Sequence, residues 1–177
     1  MFTVAETRDK LAHLAHSVQD RYAGADEDRP LAGYALTMAA YGTIVGALAW
    51  TARLTGRDVP DRVPVTDVAL GALAIEKLSR LLTKDPVTSP LRAPFTAYQG
   101  TSGSAELDEE VRGEGVQKAV GELVTCPFCT SVWVATGFAA GLVYLPRTTR
   151  LAVAALAAMA GADLLQFARA GLEKASS

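Results

Sequence analysis

The sequence predicts an all-α protein, a multi-pass bundle of three to four membrane-spanning helices preceded by an N-terminal amphipathic helix. Two uncharged runs carry this prediction, because residues 31–52 hold no charged side chain over 22 positions and residues 123–146 hold none over 24. At about 1.5 Å per residue, each run is long enough to cross a hydrocarbon core of roughly 30 Å. The alternative is a soluble protein with buried helices, but such helices rarely need more than ~14 uncharged residues.

The N-terminal arm, residues 1–30, is expected to form the amphipathic helix. Its apolar side chains recur at three- and four-residue steps and so share one face: Leu11, Leu14, Val18 and Tyr22. Charged residues lie off this stripe. Such a helix is expected to lie on a membrane surface or to dock on the helices that follow.

The membrane domain is expected over residues 31–172, with spans at about 31–54, 67–83, 123–146 and 151–169. The second of these differs from the others because its second half carries Glu76, Lys77 and Arg80. A crossing by this helix makes the number of spans even. We expect its polar end to reach water at the membrane edge, and the alternative is a helix that lies partly in the membrane interface.

Glycines spaced four residues apart occur in two spans, at Gly42 and Gly46 and at Gly137 and Gly141. Glycine has no side chain, so this spacing lets two helix backbones approach closely in lipid. We expect packing within one chain, with a dimer seam as the alternative.

Residues 97–119, rich in Gly, Ser and Glu, are expected to form a flexible loop. Four spans would divide the basic residues unequally, with eleven on the side of the termini and this loop and five on the other side. The positive-inside rule then predicts a bacterial cell-membrane protein with both termini in the cytoplasm.

Charge and composition narrow the choice of function. The net charge of −2 argues against a nucleic-acid partner. No catalytic constellation stands out, so a non-enzyme is favoured. The partners expected are the lipid bilayer and either a second copy of the chain or another membrane protein.

A pair of cysteines, Cys126 and Cys129, stands at the start of the second uncharged run. Pro127 suits the first position of a helix, which places Cys126 at the N-cap and Cys129 at the third helical position. The unpaired N–H groups and the helix dipole at that end favour a thiolate. Glu122, four residues earlier, and Arg80 or Arg92 are candidates to tune the thiols.

Three interpretations of the thiol pair remain open. One is a dithiol redox site, although the βαβ context that would strengthen it is missing. Another is half of a zinc site, completed by the thiolates of a second chain or by His13 and His16. A third is a reduced, purely structural pair. Zinc is therefore the one cofactor that the sequence raises.

Asp163 is the only charged residue in the run 151–168. An acid within a membrane span is a functional hypothesis by default, here for ion or proton handling by a small transporter subunit. The alternative is a structural ion pair with Lys77 or Arg80.

Two segments, residues 77–92 and 122–135, together resemble the bacterial membrane-protein family of unknown function named domain of unknown function 1360. The shared features are an arginine-bearing helix, the loop Asp85-Pro-Val-Thr-Ser-Pro-Leu-Arg92, and Cys126-Pro-Phe-Cys129 at the head of an apolar segment with Trp133. The resemblance covers about residues 65–168.

This resemblance implies an integral membrane protein without an established activity, and some members of the family are associated with sporulation. It also implies one cluster at the cytoplasmic face, formed by these residues: Arg80, Asp85, Thr88, Pro90, Arg92, Cys126, Cys129 and Trp133. The function expected from the sequence is a non-enzymatic membrane assembly component. A thiol protein and a transporter subunit are the alternatives.

Overall fold

The fold is described from a computed structural model, which covers residues 4–22, 29–103 and 106–176. Its elements in chain order are α1 (Val4–Tyr22), α2 (Leu31–Leu54), α3 (Val65–Lys84), a 3₁₀ turn (Pro86–Thr88), α4 (Ser89–Arg92), β1 (Thr96–Gly103), β2 (Glu106–Val111), α5 (Gly115–Thr125), α6 (Pro127–Tyr144) and α7 (Pro146–Ser176).

Helix α2 runs parallel to α6 and contacts α5 near its own start. Near its start, Tyr34 donates a hydrogen bond to Glu122, and in its middle Tyr41 shares a hydrogen bond of 2.7 Å with Thr136. Near its end, the Tyr144 hydroxyl donates to the Leu48 carbonyl at 2.7 Å. The residue numbers of the contacts therefore increase along α2 and along residues 122–144 together, as expected for helices that run in the same direction.

Helices α3 and α7 also run parallel to each other. Arg150 contacts Asp67 at 3.1 Å near the start of both helices, and Lys77 contacts Asp163 at 2.5 Å further along. A tight turn at Leu145 makes α7 antiparallel to α6. The helices thus alternate in direction between a linker end, at residues 55–64, and a hairpin end, at β1 and β2.

The core lies where α3 packs between α6 and α7, and small residues dominate it. Ala74 and Ser79 of α3 are buried, as are Val153, Ala157 and Ala160 of α7. Small side chains let the helix axes approach closely and gain dispersion contacts along their length.

Three helices in the described residues are long and apolar enough to cross a membrane, namely α2, α6 and α7. Helix α3 is not among them. Its 20 residues would span about 30 Å, but its charged second half lowers its hydropathy. A crossing by α3 therefore stays a prediction.

Three helices differ in their bounds from the spans expected, and α3 does so by only one or two residues at each end. The run predicted as one span over 123–146 is divided between α5 and α6, because Pro127 has no N–H and biases Cys126 toward an extended backbone, with φ −101° and ψ 110°. Helix α7 exceeds the predicted 151–169 at both ends. Helix α2 has the bounds expected.

The described residues of the segment predicted as a flexible loop, 97–119, form two strands and the start of α5, and the fold is therefore not purely α-helical. Strands β1 and β2 pair antiparallel, with Thr96 opposite Val111, and α5 follows them. Along β2 the side chains of Leu107, Glu109 and Val111 are partly buried, while Asp108 and Glu110 are exposed. This period of two is the strand signal that the polar composition obscured.

Candidate functional site

The best-connected side chain at the hairpin end is Arg92, which is 1% exposed. Its Nη1 donates to the Leu82 carbonyl at 2.9 Å and to the Thr88 hydroxyl at 2.7 Å, and its Nη2 donates to the Asp85 carbonyl at 3.1 Å. The guanidinium thus satisfies carbonyl groups at the C-terminus of α3, which otherwise lack partners. It fixes the chain reversal that follows this helix.

The carboxylate that balances Arg92 comes from the hairpin. Glu109 Oε2 accepts from Arg92 Nε at 2.5 Å, and the Glu109 side chain is only 7% exposed. Burying both charges requires pairing and further hydrogen bonds, which the contacts of Arg92 provide. This ion pair attaches β2 to the end of α3.

A second ion pair attaches the same strand one turn earlier on α3. Arg80 donates to Glu106 and also lies 3.7 Å from Glu76. Asp85 caps the 3₁₀ turn by accepting from the Val87 N–H at 2.9 Å, and the Thr88 hydroxyl donates to the Leu81 carbonyl at 2.5 Å. We call Arg80, Asp85, Thr88, Arg92, Glu106 and Glu109 the hairpin clamp.

The thiol pair occupies the start of α6. Cys126 is at the N-cap, where the sequence places it, and its Sγ accepts from the Cys129 N–H at 3.3 Å. Cys126 is half-buried and Cys129 is exposed, while Phe128 between them is 86% exposed. Both sulfurs thus lie at one helix end, on a surface open to reagents or to a partner.

The single cluster implied by the family resemblance stays a prediction. Within the described residues, no hydrogen bond or ion pair joins Arg80, Asp85, Thr88 or Arg92 to the two cysteines. Glu122 accepts from Tyr34, and the Trp133 ring packs edge-on against Tyr41 with centroids 5.1 Å apart. Glu122 and Trp133 therefore contact side chains of α2 and not those of the hairpin clamp.

The zinc hypothesis is not supported within one chain. A structural zinc ion takes four ligands, and across residues 4–22, 29–103 and 106–176 no group of three or more His, Cys, Asp or Glu is arranged to hold a metal. His13 is exposed on α1. The side chain of His16 lies outside the described residues.

Asp163 pairs with Lys77, one of the two partners considered from the sequence. The Lys77 side chain is 20% exposed and that of Asp163 is 40% exposed. The pair lines a groove of about 690 Å³ between α3 and α7, which Glu106 also reaches from the hairpin.

The spaced glycines behave differently from one another. A Cβ at Gly42, Gly46 or Gly137 would meet no atom within 4 Å, so these three do not serve helix packing within the chain. A Cβ at Gly141 would lie 2.5 Å from the Thr149 hydroxyl, so Gly141 does allow α6 to approach α7. Packing within the chain was expected at all four and is found at this one.

Sequence reasoning missed Glu109, Glu106 and Tyr34 as partners. Asp108 and Glu110, close to the two glutamates, made residues 106–110 resemble part of a flexible polar loop. The available signal was that Leu107, Glu109 and Val111 occupy every second position and therefore share one strand face. No comparable signal marks Tyr34, whose partner lies 88 residues away.

The sequence profile of a family described as Protein of unknown function (DUF1360) matches residues 70–169, more than half of the chain. The chain belongs to this family. The resemblance noted from residues 77–92 and 122–135 is thereby confirmed. The matched region includes most of α3, the hairpin clamp, both cysteines and α7 as far as Arg169.

A curated relative is the "Sporulation protein YjcA" of Bacillus subtilis (strain 168). It is 37% identical over 71 residues, which cover 38% of this chain and 60% of that protein. The match thus spans less than two thirds of the relative. No solved structure matches the chain.

Proposed function

We propose that this protein is a non-enzymatic component of a bacterial cell membrane that assembles with a second copy of itself or with another membrane protein. The observation that carries the proposal is the exposure of its apolar helices. Only 6% of the apolar window of α2, none of that of α6 and 17% of that of α7 are buried within the chain. So much exposed apolar surface requires lipid or a protein partner.

The hairpin is the proposed contact surface. One ion pair from α3 and one from α4 hold β2 in place. Strand β1 presents Tyr98, which is 65% exposed, beside the exposed acids Asp108 and Glu110. Tyrosine is enriched at protein interfaces because it offers a large rigid surface with a polar tip. The excess of basic residues on this side supports a cytoplasmic hairpin.

A mass measurement in detergent tests the assembly. We expect light scattering coupled to gel filtration to give more than one chain per particle, or cross-linking in native membranes to capture a partner. Tyr98→Ala should lower that mass or that capture. Tyr22→Ala is the matched control, since Tyr22 is 68% exposed on α1. A monomer in detergent together with no cross-linked species in membranes refutes the proposal.

A thiol protein is the second candidate, favoured by the joint placement of Cys126 and Cys129 at an accessible helix end. Zinc analysis and thiol counting on protein purified without chelator distinguish a zinc site from a redox pair. About half a zinc per chain indicates thiolates shared across a dimer. No metal with two rapidly alkylated thiols indicates a redox pair. In the assembly proposal, Cys126→Ser with Cys129→Ser leaves folding and particle mass unchanged.

A further inference from the structure

The groove between α3 and α7 has two walls of opposite character. The α3 wall carries the cations Lys77, Arg80 and Lys84, and the α7 wall carries Leu164 and Phe167. The lined stretch of each helix runs for about 15 Å, given a rise of 1.5 Å per residue. A ligand that fills this groove has to be amphiphilic.

The three cations share one helix face, since residues three and seven positions apart lie on the same side of an α-helix. Lys77 is neutralised by Asp163. Lys84 takes part in no hydrogen bond or ion pair among the described residues. Arg80 is half exposed, and its guanidinium retains N–H donors beyond those that face Glu106 and Glu76. Arg80 and Lys84 are therefore the donors open to an anion.

The apolar wall is open as well. Leu164 is 63% exposed and Phe167 is 66% exposed, and both belong to a helix apolar enough to cross a membrane. The small residues Ala160 and Ala170 on the same wall leave room beside them. A hydrocarbon chain covers such a surface favourably, whereas a soluble phosphate ion gains nothing from it.

We propose that this groove binds one anionic phospholipid, with the phosphate between Arg80 and Lys84 and an acyl chain along Leu164 and Phe167. The inference rests on the membrane placement proposed above. Four acids also line the groove against its three cations, so the lining as a whole carries a formal charge of −1: Glu76, Asp85, Glu106 and Asp163. This balance favours a singly charged headgroup, such as that of phosphatidylglycerol, over multiply charged ones.

The test is lipid retention measured by native mass spectrometry. Protein in mild detergent is given equal amounts of phosphatidylglycerol and phosphatidylcholine, and bound copies of each are counted. We expect wild-type protein to retain phosphatidylglycerol preferentially. Lys84→Gln should lower this retention about fivefold, and adding Arg80→Gln should lower it further, because each basic residue near an anionic headgroup contributes comparably.

Matched controls distinguish lipid binding in the groove from attraction by the general surface charge of the protein. Arg53→Gln with Arg62→Gln removes two exposed cations at the linker end and should leave retention unchanged. Leu164→Trp keeps every charge but fills the groove, and it should also lower retention. It provides the test if Arg80→Gln releases the hairpin and the protein fails to fold.

Several outcomes overturn the inference. One is equal retention of the two lipids, and another is equal loss in the linker-end control. Displacement of phosphatidylglycerol by millimolar inorganic phosphate would assign the groove to a soluble anion instead. Extraction of the protein from native membranes by alkaline carbonate would refute the membrane placement itself. Membrane retention without lipid preference refutes the groove site alone.

Discussion

At the level of single residues, the Arg92–Glu109 pair shows what burial does to a charge. Both side chains are nearly inaccessible, and every described contact of the guanidinium goes to oxygen. Removing one partner from such a pair leaves the other desolvated and unpaired. That state is costlier than losing both charges together.

We therefore expect Arg92→Met to lower the free energy of unfolding by about 3–5 kcal/mol, as for other broken buried pairs. Circular dichroism during thermal unfolding in detergent measures this. Arg169→Met is the control, because the Arg169–Glu173 pair is 83% and 66% exposed and such helical pairs contribute only about 0.2–0.5 kcal/mol. Arg92→Met with Glu109→Met should recover part of the loss. Equal effects of the two single changes would contradict a buried clamp.

The Lys77–Asp163 pair gives a second prediction at this scale. Asp163→Asn leaves Lys77 partly buried beside a neutral group, so the unfolding temperature should fall. Lys77→Met with Asp163→Leu should restore much of it, with a coupling of about 0.5–3 kcal/mol in a double-mutant cycle. A role for Asp163 in ion passage has another signature. Asp163→Asn would then abolish flux in proteoliposomes without loss of stability.

At the level of the elements, the approach of α2 to α5 depends on one glycine. A Cβ at Gly33 would lie 2.7 Å from Ala119 Cβ and 2.8 Å from the Gly115 carbonyl oxygen. Backbone atoms of a packed helix cannot move aside cheaply. The two helices meet closely here because Gly33 has no side chain.

We expect Gly33→Ala to destabilise the protein by about 1–3 kcal/mol, as overpacking generally does. Gly42→Ala on the same helix is the matched control. Its new Cβ meets no atom within 4 Å, and alanine is favoured over glycine in a helix by about 1 kcal/mol, so stability should hold or rise. Thermal unfolding measures both. If Gly42→Ala lowers particle mass instead, the Gly42–Gly46 face lies at a seam between chains.

At this scale the sequence could predict the helices whose signals come from residues adjacent in the chain, but not contacts between distant segments. The start of α6 was predictable because Pro127 and Cys126 act on the adjacent backbone. Long runs with at most one charged residue located α2, α6 and α7 for the same reason, since composition is a local property. The hairpin was missed because glycines at 100 and 103 and four acids masked a short alternating pattern. The pairing of Glu109 with Arg92 depends on β2 folding back across α3, which no local pattern reports.

At the level of the whole molecule, the alternating helix directions place the linker and the hairpin at opposite ends. If α3 crosses the membrane with the other three helices, these two segments face opposite compartments. The unequal distribution of basic residues then predicts a cytoplasmic hairpin.

Cysteine labelling in intact cells tests this orientation. In a background carrying Cys126→Ser and Cys129→Ser, Asp58→Cys should react with a membrane-impermeant maleimide and Ser102→Cys should not. Both positions are exposed, so lysed cells should label both and serve as the control. The reverse pattern would invert the orientation. Labelling of both positions in intact cells would rule out a linker and a hairpin on opposite sides.

The parallel packing of α3 with α7 also determines when the fold can be completed. Lys77 and Asp163 are 86 residues apart, and Asp67 and Arg150 are 83 residues apart. At a synthesis rate of about 5–20 residues per second, roughly 4–17 s pass between the synthesis of a charged residue of α3 and that of its partner on α7. During that interval the charged half of α3 has no partner on α7, and a chain that stops before Arg150 never acquires either ion pair.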